Sequence, residues 1–86
     1  MRNLEFDAEA FEDLGWWVRH DRKTALRIFK LIEAARRDPY RGLGKPEPLR
    51  HQFSGAWSRR INKEDRLVYS VREDRIFVLA CRGHYE

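Results

Sequence analysis

AWSRRINKEDRLVYSVREDRIFVLAC, residues 56–81, reads as three strands joined by two tight turns. The runs AWSRRI (56–61), RLVYSV (66–71) and RIFVLAC (75–81) are rich in β-branched and aromatic residues. NKED and RED between them are short enough for hairpins, so the three runs form an antiparallel meander. Side chains alternate across a strand. Leu67, Tyr69 and Val71 therefore share a face, and Phe77, Leu79 and Cys81 are expected to join them. Arg66, Val68 and Ser70 point the other way, with Arg60 if the register holds. A sheet with one apolar face needs a second layer to cover it.

The upstream chain supplies that layer. RNLEF (2–6) is a short, partly alternating edge strand. Asp7 is placed to cap a helix from Ala8 to about Arg19, with Glu9 and Glu12 near its positive end. Phe11, Leu14 and Val18 recur there at helical spacing, with Trp17 beside them. Asp21 is placed to cap a second helix running to about Arg37. Its apolar stripe is Ala25, Ile28, Phe29, Ile32 and Ala35. Pro39 stops it by disfavouring helix at Asp38. Residues 40–55 hold Gly42, Gly44, Gly55, Pro46 and Pro48 and have no period, so they read as a long ordered loop. The order is β-α-α-β-β-β: an α+β domain with two N-terminal helices packed on an antiparallel sheet.

With 86 residues, 42% of them hydrophobic and 13% aromatic, the chain supports one folded domain over 1–86. A lone cysteine excludes an internal disulfide framework and fits a reducing compartment. The acidic N-terminus does not read as a signal peptide, and no apolar run approaches the roughly 20 residues of a membrane span. A cytoplasmic protein without membrane contact is expected.

The net charge of +4 is unevenly placed. Residues 36–66 hold nine lysines and arginines against four acids, so the excess lies in the loop and first hairpin. Phe53, Trp57 and Tyr69 stand among these cations. A charge run is commonly just a solvated face, but cations interleaved with rings also suit single-stranded nucleic acid. Other motifs fail. GLGKP (42–46) has Pro39 where a phosphate loop needs its first glycine, and Pro46 where it needs Ser or Thr. Cys81 and His84 lack a second ligand pair, so no metal site and no cofactor are expected.

Cleaving a phosphodiester without a metal needs a base for the 2′-hydroxyl, an acid for the departing 5′-oxygen and cations for the phosphoryl oxygens. Glu47 is a candidate base, its backbone restricted by Pro46 and Pro48. His84 is a candidate acid, because histidine changes charge near neutral pH. Arg60 and Arg66 are candidate phosphate clamps, and Tyr85 a candidate catalytic-site residue that stacks on a base or orients one. Taken singly, these assignments stay open. Glu47 also reads as a solvated loop acid, His51 as a loop cap, and His84–Tyr85 as a fraying terminus.

RRDPYRGLGKPEPLRHQFSGAWSRRINKEDRLVYSV (36–71), followed by LACRGHYE (79–86), resembles the Txe/YoeB family of bacterial toxins, within the RelE/ParE superfamily of toxin–antitoxin systems. The resemblance implies a RelE-like, microbial-ribonuclease-type fold. It also implies a ribosome-dependent endoribonuclease, an mRNA interferase that cuts messenger RNA in the A site and inhibits translation. By resemblance Glu47 in KPEPL is the general base, Arg66 in RLVY the phosphate-stabilising arginine, and His84 the general acid beside Tyr85. Arg60 in SGAWSRRI matches an RNA-contacting arginine, and Lys45 shares the Glu47 loop. Arg50 stands where the family usually has lysine, and His51 follows as its pattern expects. With the neighbouring Arg59 these complete the expected RNA-binding set. Two departures stand out. Gly83 replaces an aromatic residue and is expected to loosen the segment carrying His84. Glu86 adds a carboxylate after Tyr85.

The resemblance also implies a cognate YefM-type antitoxin with an acidic segment, operator DNA bound only through the antitoxin complex, and pairing into homodimers. Two rival readings are a ParE-like gyrase poison, whose group lacks the Glu/His/Tyr constellation, and a non-catalytic RNA- or ribosome-binding module, which would survive loss of His84.

Overall fold

The computed structural model describes residues 1–84, the side chain of Gln52 excepted. Tyr85 and Glu86 lie outside the described residues. Strand β1 (Asn3–Phe6) leads into helix α1 (Ala8–His20), then α2 (Arg22–Arg37), a two-residue strand β2 (Glu47–Pro48), a 3₁₀ turn (His51–Phe53), and strands β3 (Ala56–Arg60), β4 (Arg66–Val71) and β5 (Arg75–Ala80).

Local chemistry sets the helix ends. The Asp7 carboxylate accepts the Glu9 N–H at 3.2 Å and starts α1. Asp21 serves both helices. Its N–H donates to the Trp17 carbonyl at 2.7 Å, ending α1, and its carboxylate accepts the Thr24 N–H at 3.1 Å, starting α2. These exchanges satisfy main-chain groups that a helix end leaves orphaned.

The strands form one sheet in the order β1-β5-β4-β3-β2. The β3-β4-β5 meander is antiparallel as expected, but β1 pairs parallel to β5, so the sheet is mixed rather than wholly antiparallel. The loop also contributes β2, which adds antiparallel to the open edge of β3. The helices cover one face, around Ile28, Leu31, Leu67, Tyr69, Ile76 and Val78. On the other face Leu49, Ala56, Val68 and Ala80 form a small second cluster, with Phe53 and Leu79 against it.

Three expected faces are corrected. In β5, Ile76 and Val78 face the helices, and Leu79 belongs to the opposite cluster. Phe77 is out of phase with Ile76 and Val78 and lies under the Arg72 guanidinium, 5.2 Å from its ring centre. Val68 pairs with Ala80 but Tyr69 with Val78, so Leu79 is one residue extra. That bulge restores Cys81 to the helix side. In α1, Ala10, Leu14 and Trp17 are buried while Phe11 is 69% exposed and Val18 48%. The helix is rotated so that the Trp17 indole donates to the Cys81 carbonyl at 2.8 Å. In α2, Leu31 is buried and Phe29 is half exposed. Gly44 packs on Leu31 so closely that a Cβ there would lie 2.7 Å from Leu31 Cδ2, and its φ of +86° is one that glycine adopts freely. No helix among the described residues is long and apolar enough to cross a membrane.

Candidate active site

The site forms where the loop meets the hairpin ends. Pro46 and Pro48 carry no N–H, so only a two-residue strand can form around Glu47. Glu47 sits opposite Ser58, and the Leu49 N–H donates to the Ala56 carbonyl at 2.8 Å. The buried Leu49 side chain then anchors this stretch to the sheet. Two non-glycine residues bracket it in left-handed backbone, Lys45 at φ 53° and His51 at φ 61°. Such residues are uncommon and persist where the surroundings over-determine them.

Arg66 opens β4 opposite Arg60. Its Nη1 lies 3.2 Å from Glu47 Oε1. The guanidinium end is sunk, with 13% of the Arg66 side chain exposed against 59% for Glu47. Arg66 Nε and Ser58 Oγ are buried and have no hydrogen-bond partner among the described residues. The guanidinium therefore retains unused donors beside Glu47.

The third component arrives from the end of β5. The Cys81 N–H donates to Asp13 Oδ2 at 3.0 Å, and its carbonyl takes the Trp17 bond. The Arg82 guanidinium lies over the Trp16 ring, 3.6 Å from the centroid. The Gly83 N–H donates to Asp65 Oδ1 at 2.8 Å, and its carbonyl accepts the Arg66 N–H at 2.9 Å. Gly83 was expected to loosen this segment; instead both of its main-chain groups are bonded. Burial, followed by the Asp13 and Asp65 carboxylates, pushes the Cys81 thiol up to about 12, so it is no nucleophile at neutral pH.

Glu47, Arg50, His51, Arg66 and His84 line one open cleft of about 430 Å³ floored by Pro48 and Leu49. Two charge types and two imidazoles thus share a space large enough for a nucleotide unit. Lys45 and Arg60 are exposed but lie outside that lining. Tyr85 falls outside the described residues.

Arg59 is a correction. It was expected to contact RNA but is fully buried on the helix side of the sheet. Its Nε donates to the Tyr69 hydroxyl at 2.9 Å, its Nη1 to the Leu43 carbonyl at 2.8 Å, and its Nη2 to the carbonyls of Asp38 and Arg41 at 2.6 and 2.9 Å. The Tyr69 hydroxyl in turn donates to the Pro39 carbonyl at 2.6 Å. Burial raises the Tyr69 pKa, so the phenol stays protonated and can make that bond. Arg59 therefore holds the loop that carries Lys45 and Glu47. Strand parity was the missed signal: Arg59 shares the face of Trp57, not of Arg60.

Comparison with known proteins identifies the architecture. Residues 6–85 match the model of the family described as YoeB-like toxin of bacterial type II toxin-antitoxin system. The chain belongs to the YoeB-like toxins. It is 52% identical over 85 residues to toxin RelK of Mycobacterium tuberculosis, covering 99% of this chain and 100% of that toxin. Among solved structures, the YoeB dimer from Staphylococcus aureus superposes with a TM-score of 0.90 at 39% identity, covering 98% of each chain. The heterotetrameric YoeB–YefM toxin–antitoxin complex from the same organism superposes at 0.88 with 38% identity, covering 99% of each chain. This YoeB-like chain is thus the toxin component of a type II toxin–antitoxin system.

Proposed function

We propose that this YoeB-like toxin is a ribosome-dependent endoribonuclease that enters the A site and cuts messenger RNA. The observation that carries the reading is the convergence of Glu47, Arg66 and His84 on one open cleft. In this reading the Glu47 carboxylate takes the proton of the 2′-hydroxyl, whose oxygen attacks the adjacent phosphorus. Arg66 stabilises charge on the phosphoryl oxygens, and His84 protonates the departing 5′-oxygen. The products are a 2′,3′-cyclic phosphate and a free 5′-hydroxyl. All three roles fall to side chains, so the reaction calls on no metal.

The free-state geometry supports this order of events. A partly exposed ion pair such as Glu47–Arg66 contributes only about 0–1 kcal/mol. An incoming phosphate can displace it at little cost, releasing the base and engaging the clamp together. Arg50 and His51 in the cleft, with Lys45 and Arg60 nearby, take the flanking message backbone, and Tyr85 stacks on a base.

The staphylococcal YoeB is found with YefM and as a dimer. On that basis a YefM-type antitoxin neutralises this chain, its acidic segment covering the basic surface that RNA would use. The toxin can self-pair, operator DNA is reached only through the antitoxin complex, and the system works in the cytoplasm.

Mapping cleavage on purified ribosomes programmed with a defined message, wild type beside His84→Gln, tests the reading. A cut at the A-site codon that disappears in the variant is expected. Blocked translation without any cut points instead to a binding module, and inhibited gyrase to a gyrase poison.

A further inference from the structure

We propose that Asp65 is a positioning residue that sets His84 against Arg66 through a two-point clamp on Gly83. The proposal rests on the nuclease reading above. The Asp65 carboxylate accepts the Gly83 N–H at 2.8 Å, and the next main-chain N–H, that of Arg66, donates to the Gly83 carbonyl at 2.9 Å. One short stretch of the β3–β4 hairpin thus grips both peptide groups of the residue before His84. The same stretch begins the strand that carries the phosphate arginine. The clamp therefore registers the acid directly against Arg66.

The hairpin is built to present that carboxylate. Asn62 Oδ1 accepts the N–H of Glu64 at 2.8 Å and of Asp65 at 2.7 Å, and the Ile61 N–H donates to the Asp65 carbonyl at 3.0 Å. The turn is held by its own main chain and by Asn62, leaving the Asp65 carboxylate free for Gly83. Gly83 completes the device. Its φ of +121° is a conformation that side-chain-bearing residues adopt only under strain. The glycine and the aspartate thus form one unit. The glycine lets the segment turn, and the aspartate restores the rigidity a glycine forfeits.

Two full-length variants separate the geometry from the charge. Asp65→Ala removes the acceptor while every main-chain bond of the turn survives. Asp65→Asn keeps an oxygen acceptor and removes only the charge. Asp65→Ala is expected to lower kcat for A-site cleavage roughly 10- to 100-fold with KM little changed, the effect of misplacing a catalytic group by about an ångström. Asp65→Asn is expected to stay within roughly three-fold of wild type, because its amide oxygen still accepts the bond. Solvent exchange of the Gly83 amide, read by NMR, is expected to speed up roughly ten-fold in Asp65→Ala and not in Asp65→Asn. Unchanged Gly83 exchange in Asp65→Ala, wild-type kcat in that variant, or equal loss in both variants overturns the proposal. A silent wild type defeats the nuclease reading alone, and the exchange comparison then decides the clamp.

Discussion

The Glu47 carboxylate and the Arg66 guanidinium face each other at 3.2 Å across a strand that lies between them in the sheet, 19 residues apart in the chain. The pair holds the proposed base beside the proposed phosphate clamp. Glu47→Gln keeps an acceptor near Arg66 but cannot take a proton from a hydroxyl. Cleavage should fall roughly 10²- to 10⁴-fold, the usual share of a general base, while ribosome binding persists. Cleavage kinetics beside ribosome co-sedimentation check this; cleavage at the wild-type rate would remove Glu47 from the base role.

Arg59 and Arg60 are neighbours with opposite fates, and their substitutions should separate cleanly. Arg59→Ala orphans the carbonyls of Asp38, Leu43 and Arg41 and leaves the Tyr69 hydroxyl only its bond to Pro39, and should destabilise the fold by roughly 3 kcal/mol. Arg60→Ala removes an exposed side chain and should change stability by no more than about 0.5 kcal/mol while weakening cleavage. Urea unfolding of both proteins settles the contrast. Equal stabilities would mean that Arg59 is not the tie holding the Glu47 loop.

Asp21 links stability to pH. Its hydrogen bonds to Thr24, side chain then main chain, hold its carboxyl below the ordinary 3.8. A depressed carboxyl contributes stability that is fully present above the unfolded value and is lost as pH falls through the folded one. The Tm advantage of wild type over Asp21→Ala should therefore be constant above about pH 5 and shrink as pH falls below 3.8. Thermal melts across that range test it, and an advantage that grows on acidification would contradict the cap.

Much of the fold was legible because its signals are local. Asp7 and Asp21 satisfy N–H groups two or three residues away, and NKED and RED turn the chain on themselves, so caps and meander follow from neighbours in sequence. The candidates Glu47, Arg66 and His84 were picked out for another reason: KPEPL, RLVY and GHY are recognisable motifs, and these three side chains do line one cleft.

What sequence alone could not decide depends on partners far along the chain. The Leu79 bulge, which swaps the faces of β5, exists only through the pairing of β5 with β4. The rotation of α1 follows the Trp17 bond to a carbonyl 64 residues away. Arg59 reads like its neighbour Arg60 until the 38–43 segment closes over it and supplies carbonyls. Gly83 reads as a loosened joint until Asp65, 18 residues upstream, accepts its N–H. Residue types and spacing determined the two helices and the four longer strands, and which side chains can exchange protons or carry charge. Only tertiary packing decided which side chains are buried, which are held, and that Glu47, Arg66 and His84 share one cleft, because burial and hydrogen-bond satisfaction are properties of the assembled chain.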